Sequence, residues 1–219
     1  IKYTKWKKEN LFLITNPVEV IYKPYNFLLK QRNKHILKDE ITFLFVGVLD
    51  KRKGLDVLLE LWIKYQIDAK LILCGPRGKD NDINALLDNV DDTTIIELGP
   101  LGREEIKNQY LTADFFIFPS RREGLPNVIL EAMSFGLPII SNNIPGVTDY
   151  LLGAKKERGI IVNNNDIKIW LEIINNIVNL ENSYNFTSMS ENAYEWIMDN
   201  SEAKVVSQKI EKLYTKRIK

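Results

Sequence analysis

The sequence has very little of the residues that build disulfides and zinc sites, because its 219 residues contain one cysteine and one histidine. A single cysteine excludes an internal disulfide and permits a reducing compartment. One cysteine and one histidine cannot make a zinc site. No apolar run approaches the ~20 residues of a membrane-spanning helix, and no signal peptide is recognisable. We therefore expect a globular, cytoplasmic protein without a metal centre.

The chain also lacks an excess of either charge, since 30 basic and 29 acidic residues leave a net charge of +1. No bulk field favours nucleic acid, so we expect no nucleic-acid partner. The lysines at positions 2, 5, 7 and 8 form the one local excess, which we interpret as a solvated strip rather than a binding patch. A dinucleotide enzyme or a P-loop enzyme is disfavoured, because neither glycine motif is present.

Apolar runs alternate with helical patterns along most of the chain, which predicts a doubly wound parallel sheet flanked by helices. The buried runs are continuous, as is typical of parallel strands. A break near residues 181–183 and another at 200–201 divide the last helical region. Strands are expected at 41–46, 70–74, 94–97, 114–119, 137–141 and 159–162, and helices at 55–65, 81–90, 103–112, from 126 and from 166.

The most informative segment is 121–140, which follows the strand expected at 114–119 and carries Glu123 and Glu131. Between the two acids, the residues Gly124, Leu125, Pro126 and Asn127 form a turn that opens a helix, with Pro126 in the first helical turn. The free N–H groups of a helix N-terminus favour an anion such as phosphate. Carboxylates accept hydrogen bonds from hydroxyls. Phosphate-binding and diol-binding groups side by side indicate a sugar nucleotide.

This segment resembles the E-x7-E signature of the GT-B retaining glycosyltransferases, most closely those of family 4. Further blocks match that family in the expected order from about Asn16 to the C-terminus. They are Phe45-Val46-Gly47 with the run KGLDVLL at 53–59, then LILCG at 71–75, IELG at 96–99, ADFFIFPS at 113–120 and IPGV at 144–147. Several ordered motifs make the resemblance specific.

The resemblance implies that the chain is a single Rossmann-like domain, the C-terminal, donor-binding half of a GT-B fold. Nothing before Asn16 resembles an acceptor-binding half, and the chain begins with Ile1. We therefore expect a preceding acceptor domain as a partner, with any peripheral contact to the inner face of the membrane made through that half. Residues 1–40 are interpreted as a linker and a partly irregular start, 41–200 as the donor domain and 201–219 as a C-terminal helix.

The resemblance also assigns roles to single residues. Glu123 would bind hydroxyls of the transferred sugar, and Glu131 the ribose diol. Lys53, at the start of the first helix, would meet the diphosphate, which makes Glu123 and Lys53 the catalytic candidates. The donor-binding candidates beside them are Gly47, Gly75, Pro76, Leu101, Gly124, Leu125, Pro126 and Asn127. The donor is a nucleoside-diphosphate sugar, and no metal is expected because the D-x-D at 80–82 is interpreted as a helix cap.

One position departs from the family pattern. Val48 stands where the family usually has an arginine, which removes one of two expected diphosphate cations. Arg52 or Arg121 could take its place, and spacing does not decide between them. The departure favours a non-catalytic donor-binding module, whereas the intact Glu123 and Glu131 pair favours a retaining glycosyltransferase. A sugar phosphorylase or synthase of the same fold is a third option. Asp149 is a substrate contact or a helix cap.

Overall fold

A computed structural model describes residues 13–33, 40–90, 93–145, 148–153, 157–163, 165–179 and 184–217. Its centre is a six-stranded sheet in the order β3-β2-β1-β4-β5-β6, and every pairing in it is parallel. This confirms the predicted fold class. The strands are β1 Thr42–Val46, β2 Lys70–Cys74, β3 Ile95–Gly99, β4 Phe115–Phe118, β5 Ile139–Asn142 and β6 Ile160–Val162.

Helices connect and cover the strands on both faces of the sheet. Predicted and observed bounds agree to within two residues at most ends, the usual uncertainty of helix and strand limits. Within the described residues the helices are α1 Tyr25–Asn33, α2 Leu55–Tyr65, α3 Asn81–Asn89, α4 Arg103–Thr112, α5 Asn127–Ser134, α6 Thr148–Leu152, α7 Ile167–Val178, α8 Phe186–Asn200 and α9 Ala203–Arg217.

Each face of the sheet carries its own apolar core, because successive side chains of a strand point to opposite faces. On β1, Phe43 and Phe45 pack with the side chains of α2, α3 and α7, whereas Leu44 packs with those of α1, α4, α5, α6 and α8. Trp62 and Trp170 are fully buried in the first of these cores. Helices therefore cover both faces of the sheet, which leaves the ends of the strands as the place where a ligand can bind.

Helix α1 lies in the part of the chain that was expected to be a linker and partly irregular. Leu28 of this helix is fully buried, and Arg32 is only 6% exposed. The Arg32 guanidinium donates to the backbone carbonyls of Tyr110, Ala113 and Phe135 at 3.3, 2.9 and 3.3 Å. Those carbonyls lie at the ends of α4 and α5. Helix α1 thus fixes these two helices against each other.

Two local expectations need comment. Pro126 was expected inside the first turn of its helix, but it is the N-cap residue, with extended backbone at φ −75° and ψ 107°. The break expected at 200–201 is present between α8 and α9. Several predicted features lie outside the described ranges, namely the basic strip at 2–8, the end of the IPGV block at 146–147 and the break at 181–183, as does the one histidine, His35. Within the described ranges, no helix combines the length and apolar character needed to cross a bilayer.

Candidate functional site

The candidate site lies where the carboxyl ends of β1 and β4 meet. In the observed strand order these neighbours form the topological switch point, the place where open α/β sheets bind ligands. The loop after β1 leads through a 3-10 turn at Lys51–Lys53 to Gly54, and the loop after β4 contains Glu123. Arg121 N–H donates to the Arg52 carbonyl at 3.1 Å, so the two loops are bonded to each other.

Gly54 allows this close approach. Its φ of +81° is left-handed, and a Cβ at this position would overlap the carbonyl of Pro119. Asp50 caps the turn that precedes it, because its carboxylate accepts a hydrogen bond from the Lys53 backbone N–H at 2.8 Å. The backbone therefore holds Lys53 directly beside the β4 loop.

The two catalytic candidates, 70 residues apart in the sequence, contact each other. Lys53 Nζ lies 2.6 Å from Glu123 Oε1, and Ser120 Oγ donates to the same oxygen at 2.7 Å. The side chains of Lys53 and Glu123 are 17% and 13% exposed. A cation and a carboxylate that are both suited to a ligand thus neutralise each other in the free chain. A ligand that uses both must carry its own anion for the lysine and its own donors for the carboxylate.

The structure distinguishes between the two arginines that could replace the cation absent at position 48. Arg121 is held by both oxygens of Asp56, at 2.7 and 2.8 Å, and by the Lys51 carbonyl. Arg52 is 54% exposed, with looser ion pairs to Glu123 at 4.0 Å and Asp50 at 3.9 Å. Arg52 is therefore the better placed cation for a ligand at this edge.

The second acid, Glu131, lies in α5 and is held in a different way. The Tyr110 hydroxyl of α4 donates to Glu131 Oε2 at 2.8 Å. Tyr110 is 1% exposed, and its burial together with the charge of Glu131 raises the pKa of this hydroxyl well above its usual value. The hydroxyl therefore stays protonated and donates. The sequence analysis did not identify Tyr110.

The start of α5 is open for an anion. Pro126 at the N-cap provides no side-chain acceptor for the first backbone N–H groups. Gly124 and Asn127 are exposed and Leu125 is half-buried. The Asn127 side chain accepts a hydrogen bond from Asn16 at 2.7 Å, so it is tied to the segment that precedes α1. The arrangement suits a phosphate group, with Glu123 just before it and Glu131 one turn after it.

The remaining donor-binding candidates lie along the same edge. Gly47 N–H donates to the Cys74 carbonyl at 2.9 Å, and Gly75 N–H donates to the Gly99 carbonyl at 2.8 Å. Gly75 passes so close to Gly47 that a Cβ would overlap its carbonyl. The structure thus brings the ends of β1, β2 and β3 together. Pro76 is exposed and Leu101 half-buried at the same ends, and the base-binding role of this group stays a prediction.

The D-x-D at 80–82 and a separate cavity lie outside this group of residues. Asp80 caps α3, since its carboxylate accepts from Ile83 N–H at 3.3 Å, in agreement with the interpretation of the D-x-D. Among the described residues, no group of three or more His, Cys, Asp or Glu side chains could hold a metal ion. A cavity of about 630 Å³ lies at the opposite end of the sheet, between the C-terminal ends of α2 and α3, and Asp68 is the charged residue among its described lining residues.

Comparison with known proteins gives the class of protein that this fold and site define. Residues 29–196 match the family model of the group 1 glycosyl transferases. Since the match covers more than half of the chain, the chain belongs to this family, as the sequence motifs predicted.

Similar proteins agree with this membership. A glycosyltransferase of Haemophilus influenzae is 32% identical over 179 residues, which cover 80% of the chain and 47% of that protein. The capsular polysaccharide biosynthesis glycosyltransferase CapM of Staphylococcus aureus is 24% identical over 203 residues, which cover 89% of this chain and 51% of CapM. The chain thus spans about half the length of these relatives.

Solved structures show the same fold. A glycosyltransferase from Rickettsia africae has a TM-score of 0.78 at 19% identity. The match covers 98% of this chain and 59% of the Rickettsia chain. Anabaena HepE in complex with UDP and glucose has a TM-score of 0.71 at 18% identity, and the match covers 92% of this chain and 56% of the HepE chain. The neighbouring structures are GT-B glycosyltransferases, which fits the prediction that this chain is one half of such a fold.

Proposed function

We propose that this chain is the donor-binding half of a retaining, family 4-like glycosyltransferase. The enzyme transfers a sugar from a nucleoside-diphosphate sugar to an acceptor hydroxyl in glycan or glycoconjugate synthesis. The observation that carries the proposal is the Lys53–Glu123 pair beside the open N-terminus of α5. Relatives named for capsular polysaccharide biosynthesis and for O-antigen mannosyl transfer support the role in glycan synthesis. The proposed location of this activity is the cytoplasm.

The donor exchanges partners with this pair when it binds. The diphosphate takes Lys53, and hydroxyls of the sugar take the place of Lys53 at Glu123. Arg52 and the backbone N–H groups at the start of α5 add positive charge at the diphosphate. The same groups stabilise the charge that develops on the departing diphosphate, which is the main way in which such a site accelerates transfer.

Glu131, one turn after the start of α5, binds the ribose diol, and the base lies along Gly75, Pro76 and Leu101. No metal is required, because Lys53, Arg52 and the helix N-terminus together meet the charge of the diphosphate. The departing phosphate serves as the base that activates the acceptor.

The acceptor hydroxyl is held by a preceding domain of the same protein, through which any contact with the membrane is made. Positioning of a second reactant accounts for ~7–11 kcal/mol of a barrier. The isolated chain should therefore bind donor and transfer no sugar, and joining it to the preceding domain should restore transfer. Robust transfer by residues 1–219 alone would contradict this division.

The test of the proposal is calorimetry on the chain with EDTA present, across UDP, GDP and ADP. One of them should bind weakly, and Glu131→Ala should weaken that binding, since a hydrogen bond to a charged group contributes ~1.5–3 kcal/mol. Absence of binding by all three nucleotides would contradict the proposal.

A donor-binding module without chemistry is the second candidate, and Val48 favours it because the chain has one diphosphate cation fewer than the family pattern. Donor hydrolysis or transfer by the full-length protein distinguishes the two. A phosphorylase or synthase would instead release a free disaccharide or its phosphate, a product that the same assay identifies.

A further inference from the structure

Of the two acids Glu123 and Glu131, only Glu131 has a carboxylate without a cation partner among the described residues. Within the described part of the chain, its side chain receives one hydrogen bond, from the Tyr110 hydroxyl to Oε2, and no ion pair. Oε1 is therefore left to accept from a ligand. The contrast with Glu123, whose Oε1 is shared by Lys53 and Ser120, is clear.

Cations are present nearby and are directed elsewhere. Glu131 lines a cavity of about 250 Å³ together with Tyr110, Arg103, Lys107 and Glu19. Arg103 and Lys107 pair with Glu19 at 2.7 and 3.6 Å, and Lys107 pairs with Glu104 at 2.8 Å. Glu131 is thus held by a neutral hydrogen-bond donor, although two charged donors, Arg103 and Lys107, line the same cavity.

Buried packing and backbone hydrogen bonds hold the Tyr110 side chain in place. Its ring stacks on Phe135 at 5.6 Å between centroids and lies 5.9 Å from Phe116. Arg32 bonds the backbone carbonyls of both Tyr110 and Phe135. The position of the hydroxyl is therefore fixed by buried packing in α4, whereas the carboxylate it meets belongs to α5.

We propose that Tyr110 is a positioning residue that fixes the Glu131 carboxylate for the ribose of the nucleotide. Its hydrogen bond occupies Oε2 and adds no positive charge to the carboxylate, so Oε1 is left to accept from a ribose hydroxyl. A lysine or arginine in the same place would compete with the ribose, as Lys53 competes at Glu123. This inference rests on the proposed function, in which Glu131 binds the ribose diol.

The test compares ribose with a sugar that lacks both hydroxyls. The chain is titrated by calorimetry, without metal, with UDP, GDP and ADP and with the 2′,3′-dideoxy form of each. For the base that binds, the wild type should prefer the ribose form about tenfold, equivalent to ~1.4 kcal/mol. Tyr110→Phe should weaken the ribose form about fivefold and change the dideoxy form less than twofold.

Tyr194→Phe is the matched control. The Tyr194 hydroxyl is also buried and donates at 2.7 Å, but to the backbone carbonyl of Tyr22. This variant should leave both affinities unchanged. In a Glu131→Ala background, Tyr110→Phe should have no further effect on binding, because the tyrosine then has no carboxylate to hold.

The outcomes distinguish the proposed role of Glu131 in ribose binding from the inferred role of Tyr110 in positioning it. If the wild type does not distinguish ribose from dideoxyribose, or binds no nucleotide, the assignment of Glu131 fails and this inference fails with it. If the wild type prefers ribose and Tyr110→Phe keeps the full preference, only the inference is overturned. Equal weakening of both forms would also overturn it, since Tyr110 would then act through the fold alone.

Discussion

Replacing Glu123 with glutamine should strengthen the binding of a bare nucleoside diphosphate. In the free chain, Glu123 Oε1 accepts from Lys53 and Ser120. A glutamine oxygen still accepts from Ser120 but has no charge to hold the lysine. Lys53 is then free for the diphosphate without first leaving a carboxylate.

The size of the effect follows from burial. The two side chains are 17% and 13% exposed, so their interaction exceeds that of a surface ion pair, ~0–1 kcal/mol. A hydrogen bond to a charged group contributes ~1.5–3 kcal/mol. We take about 1–2 kcal/mol as the free energy needed to separate the pair, so UDP should bind Glu123→Gln about 5–30 times more tightly.

The sugar-bearing donor should not share this gain. UDP-glucose offers hydroxyls to Glu123, and the variant replaces a charged acceptor with a neutral one. The ratio of UDP-glucose affinity to UDP affinity should therefore fall at least about tenfold, equivalent to ~1.4 kcal/mol. Calorimetry with both ligands measures the ratio directly, and the GDP or ADP forms are used if one of those bases binds instead.

The control is Glu202→Gln, at the start of α9. Glu202 pairs with Lys23 at 3.0 Å and is 15% exposed, so this variant breaks a comparable ion pair elsewhere. It should leave both affinities unchanged. Weaker binding of UDP by Glu123→Gln, to the same degree as UDP-glucose, would show that Glu123 and the diphosphate do not compete for Lys53.

Three further predictions concern the cations and the backbone around the site. Arg52→Ala should weaken diphosphate binding several-fold, whereas Arg121→Ala should lower the melting temperature and change binding little; the reverse result in calorimetry would make Arg121 the second cation. Gly54→Ala should destabilise the chain by about 2 kcal/mol or more in urea unfolding, since the left-handed backbone and the Pro119 carbonyl exclude a Cβ; an unchanged midpoint would contradict the close contact. Arg32→Met should cost about 2–4 kcal/mol in the same assay, because it leaves buried carbonyls without a donor, and Arg32→Lys should recover part of the loss.

The central strands could be predicted from the sequence because they contain continuous apolar runs, as in residues 43–46 of β1 and in Phe115–Phe118. Helix α1 could not, because its sequence YNFLLKQRN shows little helical periodicity. Its stability comes from burying Leu28 and from the three carbonyls that Arg32 meets. These partners lie about 80–100 residues further along the chain, where no local pattern reveals them.

For the site, spacing and resemblance selected Glu123, Glu131 and Lys53, but they did not show which groups hold them. The choice between Arg52 and Arg121 depends on Asp56, which binds Arg121 on both oxygens. The role of Tyr110 could not be predicted, because an aromatic residue in a mostly polar helix usually indicates packing. Its ring does pack in the core, and only the tertiary structure shows that its hydroxyl reaches a carboxylate.

The different partners of the two acids have opposite consequences for ligand binding. Glu131 is held by a neutral hydroxyl, so a ribose adds a hydrogen bond without displacing a charge. Glu123 is held by Lys53, so a diphosphate that takes the lysine leaves a carboxylate, 13% exposed, with Ser120 as its remaining close donor. Leaving a mostly buried charge with too few partners is costly, and sugar hydroxyls remove that cost. On the proposed function, the site therefore favours the intact donor over the diphosphate that remains after transfer, and the product is released as Lys53 returns to Glu123.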